Sequence, residues 1–368
     1  MRLAYRLAER KDDPALRALM ASTPMPGAIT VTFEREPDFF AGMRMAGDEW
    51  QVLCAENAET GELAGVFCRS VQERFVNGAP ARIACWGGLR IARKYQGSVF
   101  LPRAFAFGRQ VYGKDPVAGN VAVIAEENPI AVRVFAEKHR GLLPALRPLT
   151  RILTWGIILG RARKAAWRLK GSRENSLGAE EVGLPGIVGF LRAQGAGKQL
   201  FPAYDERYFR ESGYETADFI LASRAGRIVG ASGLWDQSGC RQTVVYSYSG
   251  LLRLARPFYN IVAPLGGFPP LPGRGTRINS AYLSFIAIEG NSTETFAALL
   301  EEACARAFAR GFDYLMLGLS ERDPLAAVPR GLPHILYTST LYAVELDPGA
   351  PFGEGLDGRV PYIEISTL

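Results

Sequence analysis

The sequence predicts an α/β protein of the α+β kind: two similar domains, each a mixed, mostly antiparallel central sheet flanked by helices. Three observations carry this. The elements of the first 160 residues read in the order β-α-β-β-β-α-β-α-β. Parts of that order recur about 165 to 195 residues later. The chain has 368 residues, 48% of them hydrophobic, enough for two domains of roughly 150 residues with their own cores.

The elements follow from local signals. Arg2–Ala8 reads as a strand, and Asp12-Asp13-Pro14 starts a helix that runs to about Ala21. Strands follow at Gln51–Ala55, Leu63–Glu73 and Ala81–Ile91, with turns at Glu59-Thr60-Gly61 and Asn77-Gly78. A loop over Ala92–Ser98 opens a helix from Val99 to Tyr112. The strand Val121–Ala125, a helix Pro129–Lys138 and a final strand, Ile152–Leu159, complete the first copy.

The repeat is weak but ordered. Gly61-Glu-Leu-Ala-Gly65 is echoed by Gly226-Arg-Ile-Val-Gly230, and Asn128-Pro129-Ile130-Ala131 by Asp323-Pro324-Leu325-Ala326. The offset grows from 165 to 195, so the second copy carries an insertion of about 30 residues. Gly250–Arg277, rich in Gly, Pro and aromatics, fits it and reads as a long loop. The expected organisation is a first domain over 1–160, a basic linker over 161–175, a second domain over 176–350 and a tail over 351–368.

Charge and rare residues narrow the chemistry. Residues 1–175 carry 27 Lys and Arg against 17 Asp and Glu, a net of +10; the rest carries −4. The first half therefore attracts anions. Five scattered cysteines without a CxxC pair, and two histidines, His139 and His334, support neither a disulfide framework nor a metal site. The most apolar window, Leu142–Gly160, contains two arginines and two prolines and is a poor transmembrane helix. A cytoplasmic location is the expectation. Residues 161–170 leave a peripheral membrane or nucleic-acid contact as an alternative to a solvated linker.

Between the third strand pair and its helix lies Ile91-Ala92-Arg93-Lys94-Tyr95-Gln96-Gly97-Ser98-Val99-Phe100-Leu101. Asn128 follows the next strand, with Ala131 three residues on and Phe135 four beyond. In element order and in these motifs the first copy resembles the GCN5-related N-acetyltransferase (GNAT) superfamily. Tyr95, Gln96 and Gly97 match that family's pyrophosphate loop. Val99 and Leu101 depart from it, standing where the family has small residues. A helix start of this kind is an anion site on physical grounds, because its first N–H groups are unpaired and the helix dipole adds to them.

The resemblance implies acetyl-CoA or another acyl-CoA as co-substrate, without a metal. It implies a cofactor site built from Leu89, Ile91, Gln96, Gly97, Ser98, Val99, Asn128 and Phe135, with a backbone N–H near Leu89–Ile91 polarising the thioester. The family's usual tyrosine acid falls at Phe135, which cannot donate a proton. Glu73 and Glu126 are the candidate bases. Glu34, Glu36 and Asp38 follow the first helix, where the family often lines its acceptor pocket, and would suit a cationic small-molecule amine. In the second copy the loop is Glu289–Glu294, with Glu289 where phosphate would approach and Asn291 with Glu294 as a capping box. That copy reads as degenerate.

The leading reading is an acyl-CoA-dependent N-acyltransferase, most simply an N-acetyltransferase. The alternatives are a FemABX-like transferase that takes its aminoacyl group from tRNA, and a non-catalytic pair kept as a binding module. Gly97→Glu, which places a negative charge in the loop, is expected to abolish CoA binding in isothermal titration with the fold intact; retained affinity counts against the loop as the phosphate site.

Overall fold

The computed structural model describes residues 2–96, 100–113, 115–128, 143–164, 175–346 and 351–368. The first half contains β1 (Leu3–Leu7), α1 (Asp13–Ser22), β2 (Ile29–Glu34), α2 (Ala41–Arg44), β3 (Glu49–Asn57), β4 (Leu63–Val76), β5 (Ala79–Ile91), α3 (Phe100–Tyr112), β6 (Gly119–Ala125) and β7 (Ala145–Ile158). α4 (Leu159–Lys164) leads out of it. The second half contains β8 (Asn175–Leu177), α5 (Ala179–Gly195), α6 (Glu206–Ser212), β9 (Phe219–Arg224), β10 (Arg227–Trp235), β11 (Gln242–Tyr248), α7 (Gly250–Gly266), β12 (Ser280–Ile288), α8 (Thr293–Ala309), β13 (Tyr314–Ser320) and β14 (His334–Glu345).

Local chemistry sets several of these boundaries. α1 has Pro14 in its first turn and buries Leu16, Leu19 and Met20 at helical spacing. Asn77 and Gly78, with φ of 52° and 88°, form the two-residue turn that joins β4 to β5. Ala225 and Gly226, with φ of 51° and 74°, do the same between β9 and β10.

The two halves share one sheet of twelve strands, in the order β1-β3-β4-β5-β6-β14-β7-β13-β12-β10-β9-β8. The order is symmetric about its centre. In each half the two strands that run parallel, β5 with β6 and β12 with β13, are followed by the last strand of the other half. β14 pairs with β6, and β7 pairs with β13. β7 and β14 pair with each other from His334↔Ile157 to Glu345↔Ala145. The halves have therefore exchanged their final strands. β2 and β11, one from each half, add a separate two-stranded ribbon.

The core lies on both faces. α3 covers one face of the first half through Phe100, Leu101, Ala104 and Phe105. α1 and α2 cover the other through Leu16, Leu19, Phe39, Phe40 and Met43. The largest cluster lies mostly in the second half, with Trp155 and Ile157 of β7 joining it, and centres on Phe285, whose ring lies 4.9–5.3 Å from those of Tyr214, Phe209, Tyr204 and Trp235.

Several expectations need correction. Gly250–Arg277 is not a long loop: it holds the 17-residue α7, despite Pro257 and Pro264 inside it. The prolines suggested a broken chain, yet Leu251, Leu254, Phe258, Ile261 and Leu265 keep a helical period. Asp323 caps a short 3-10 turn, Pro324–Ala327, and not a longer helix. The cap of α8 is Ser292, which accepts from Thr295 N–H at 3.2 Å, one residue beyond the expected Asn291. β2 and β11 were not expected. The expected helix over 129–138 and linker residues 165–174 lie outside the described residues.

The tail returns to the second half. At the β12 bulge, Phe285 N–H donates to Glu364 Oε2 at 2.8 Å and Ile286 N–H donates to Tyr362 Oη at 3.4 Å. Glu364 also accepts from Tyr362 Oη at 2.7 Å and from Ser366 Oγ at 2.8 Å. Ile365 fills the space a side chain at Gly318 would need, with Cγ2 only 2.3 Å from that Cβ position. Glu364 is buried, so its charge is tolerated only because donors surround it. Glu364→Ala leaves those donors unpaired and is expected to lower unfolding stability by about 3 kcal/mol in denaturant titration; an unchanged midpoint contradicts a bonded tail.

Candidate functional site

β5 and β6 pair in parallel only from Ile83↔Gly119 to Trp86↔Ala122. Beyond that, β5 follows β4 to Ile91 and β6 follows β14 to Ala125. The two strands part, and a wedge opens between them.

A bulge sits at the mouth of the wedge. Cys68 is opposite Gly87 and Val66 is opposite Arg90, so Gly88 and Leu89 are together set against a single β4 residue. Gly88 takes φ +63°, and a Cβ there would lie 2.9 Å from Cys68 Sγ. Both facts require glycine. The same bulge occurs in the second half, where Gly233 is opposite Ser284 and Ala231 is opposite Ala287. Phe285 there takes φ +58° despite its side chain, held by the aromatic cluster.

The two bulges differ in what meets them. The tail occupies the second, through Glu364 and Tyr362. At the first, no described side chain accepts from Gly88 or Leu89 N–H. These N–H groups, at the mouth of an open wedge, suit an acyl carbonyl that gains negative charge. Gly88 was not among the expected residues. A Gly-Gly pair inside a strand was the signal for it, because such a pair marks a bulge.

The expected cofactor residues fall around this wedge. Leu89 and Ile91 pack on the α3 side. Gln96 is exposed and its Nε2 donates to Ile91 O at 3.3 Å. Tyr95 is buried and contacts Asn57, a packing role. Asn128 stands just past the end of β6, its N–H bonded to Ala125 O at 3.0 Å. Gly97, Ser98, Val99 and Phe135 lie outside the described residues.

The candidate bases are placed differently. Glu73 is exposed and opposite Arg82, seven residues along β4 from Val66. The bulge is opposite Phe67, six residues from Glu73, so at ~3.3 Å per residue the two are roughly 20 Å apart. Glu126 accepts from Arg151 Nε at 2.7 Å, Arg151 Nη2 at 3.1 Å and Thr338 Oγ1 at 2.9 Å. The Arg151 guanidinium holds its carboxyl below the usual range, which opposes proton uptake. Burial pushes the Cys85 thiol up, so it is not poised as a nucleophile. His334 Nδ1 lies 2.6 Å from Leu332 O.

The expected acceptor acids are paired at the surface. Glu36 bonds Arg17, Asp38 bonds Arg10 at 2.9 Å, and Glu34 accepts from Thr32 Oγ1 at 2.6 Å. The residue between Glu34 and Glu36 turns inward instead. Arg35 is 9% exposed, and its Nη1 touches Met43 Sδ at 3.2 Å. Arg35 lies one residue past the end of β2, where the strand's alternation no longer sets its direction, and no local pattern marks it as inward. In the second half, Glu289 is held by Arg227 at 2.6 and 3.0 Å.

Among the described residues, no helix is long and apolar enough to cross a membrane. No protein-family model matches the chain, and no curated protein is similar to it in sequence. Solved structures are similar in fold. One is Saccharomyces cerevisiae N-myristoyltransferase with bound myristoyl-CoA: TM-score 0.62, 10% identity, over 93% of this chain and 79% of that one. Another is a GCN5-related N-acetyltransferase from Sphaerobacter thermophilus: TM-score 0.54, 13% identity, over 100% of this chain and 98% of that one. With the parted strands and the paired bulges, these likenesses establish that the chain has the fold of the GCN5-related N-acetyltransferase superfamily.

Proposed function

We propose that the protein is an acyl-CoA-dependent N-acyltransferase whose co-substrate enters the wedge of the first half. The observation that carries this is the contrast between the bulges: Gly88 faces an open wedge, whereas Phe285 faces the tail. The similar folds support it, because one is named as an N-myristoyltransferase with bound myristoyl-CoA and another as an N-acetyltransferase. Acetyl-CoA is the simplest co-substrate, and a small-molecule amine in the cytoplasm the simplest acceptor.

In this reading the thioester carbonyl points at the Gly88 and Leu89 N–H groups. These donors are fixed by the sheet before reaction, so they stabilise the developing oxyanion without rearranging. The amine nitrogen attacks the carbonyl carbon, a C–N bond forms and the C–S bond breaks. The proton lost by the amine ends on the CoA sulfur. Positioning two reactants on either side of one bulge supplies much of the rate. The anion-attracting first half and the loop ending at Phe100 receive the CoA phosphates.

Isothermal titration with acetyl-CoA is expected to show one site per chain with micromolar affinity. Gly88→Val, which cannot keep the left-handed bulge, is expected to weaken it at least tenfold while circular dichroism is unchanged. Absence of acyl-CoA binding, with tRNA binding that falls steeply with salt, supports the aminoacyl-tRNA reading instead.

A further inference from the structure

The face of β5 opposite α3 carries a cluster of cations. Arg90 stands between Leu89 and Ile91 and points to the α1–α2 side, where its Cζ lies 6.0 Å from the Phe33 ring. Arg35 reaches the same place from the end of β2, its Cζ 5.1 Å from the Phe39 ring. Arg241 arrives from the second half: a Cβ built on Gly42 would lie 3.1 Å from Arg35 Nη1 and 3.3 Å from Arg241 Cγ. All three guanidiniums act on the buried Cys68 thiol, whose Sγ lies under Gly88.

No described carboxylate lies within ion-pair distance of any of the three. Arg90 Nε is buried without a partner, and Arg241 is anchored by donating to Ser366 O. Burial, with Arg241 and Arg90 adding to it, pushes Arg35 down to about 10. Buried cations without counter-charge are unfavourable unless an anion completes them. Guanidinium forks match the paired oxygens of carboxylate and phosphate.

We propose that the acceptor is an amine whose own molecule carries an oxyanion, a carboxylate or a phosphate, held by Arg35, Arg90 and Arg241. This rests on the acyl-transfer reading above. The cluster is on the far side of β5 from α3, so it belongs to the acceptor and not to CoA. Phe33, beside Arg90, is exposed. An anion anchored there leaves the amine beside the Gly88 bulge, where the thioester carbonyl is held.

Products serve as probes. N-acetyl amino acids, each beside its methyl ester, and N-acetylglucosamine 6-phosphate, beside N-acetylglucosamine, are titrated into the full chain. At least one oxyanion is expected to bind about tenfold or more tighter than its uncharged partner. The amino-acid arm identifies a carboxylate site and the sugar arm a phosphate site. Arg35→Met is expected to remove that selectivity, keep acetyl-CoA affinity and raise the thermal midpoint, since a buried cation is gone. Equal binding of charged and uncharged partners, or binding of none, overturns the proposal. Oxyanion selectivity in a chain that binds no acyl-CoA overturns the acyl-transfer reading alone.

α7 carries a second, independent feature. Leu251, Leu254, Phe258, Ile261 and Leu265 are 82%, 77%, 71%, 73% and 80% exposed. Their 3-4-3-4 spacing sets them in one stripe. Residues 237–288 hold five arginines and neither Asp, Glu nor Lys. Arg253, on α7 itself, and Arg274 and Arg277, which follow it, are exposed. An apolar face on a segment whose charged residues are all arginines complements an anionic lipid surface, whereas pairing with a second copy would bring arginine against arginine.

The structure thus assigns α7 to docking on anionic membranes. The full chain is expected to sediment with vesicles containing phosphatidylglycerol, to stay free of pure phosphatidylcholine vesicles, and to be released by salt. Leu254→Glu with Phe258→Glu is expected to abolish sedimentation without changing the melting profile. Failure to bind either vesicle, or a dimer in sedimentation velocity that the double variant dissolves, overturns it.

Discussion

The pairing of β7 with β14 is the constraint on which the rest of the molecule depends. Each of these strands ends its own half of the sequence and lies beside the fifth sheet strand of the other. Neither half can then complete its sheet alone. Burying Trp155, Ile157 and Leu341 at this seam joins the two cores into one unit. The exchange also fixes the two bulges relative to each other across the sheet, and side chains of the two halves meet beside them. Arg241, which donates to Ser366 O of the tail, stands next to Gly42 and Arg35 of the first half.

The seam is reinforced away from its centre. Residues 199–203 bridge the end of β4 to the tail: Phe75 N–H donates to Phe201 O, Leu200 N–H to Phe75 O, and Tyr362 N–H to Gln199 O. Beside them, Lys198 and Asp323 form a buried ion pair at 2.7 Å. The tail is thereby held in register as it passes the second bulge. A duplicated fold has in this way become asymmetric. At one bulge no described side chain accepts from the Gly88 or Leu89 N–H, and at the other Glu364 and Tyr362 accept from Phe285 and Ile286.

Much of the fold was legible because strong local signals agreed with it. Asn77-Gly78 forced a hairpin, Asp13-Pro14 started a helix, and alternating apolar residues marked β3 to β5. The repeated Gly-x-x-x-Gly and Asn/Asp-Pro segments gave the duplication. Non-local facts were not legible. Nothing near Ile152 or Leu341 says that the two strands trade places, since pairing partners lie almost two hundred residues apart. β2 and β11 are stabilised by each other, not by their own composition.

The site was legible in part. The structure sets Leu89 and Ile91 beside the point where β5 and β6 part, on the α3 side, a position that follows from the element order. The acids Glu34, Glu36 and Asp38 drew attention by charge, but charge alone does not say which way a side chain points. Arg35 between them is the residue that turns inward. Glu73 looked close to the site in sequence terms, yet a long strand carries it toward the far end of β4.

Hydrogen–deuterium exchange with and without acetyl-CoA tests the asymmetry of the two bulges most directly. The account predicts slowed exchange at residues 87–91 and no change at 284–288, where the tail already holds the N–H groups. Protection at 284–288, or at neither segment under saturating acetyl-CoA, contradicts it.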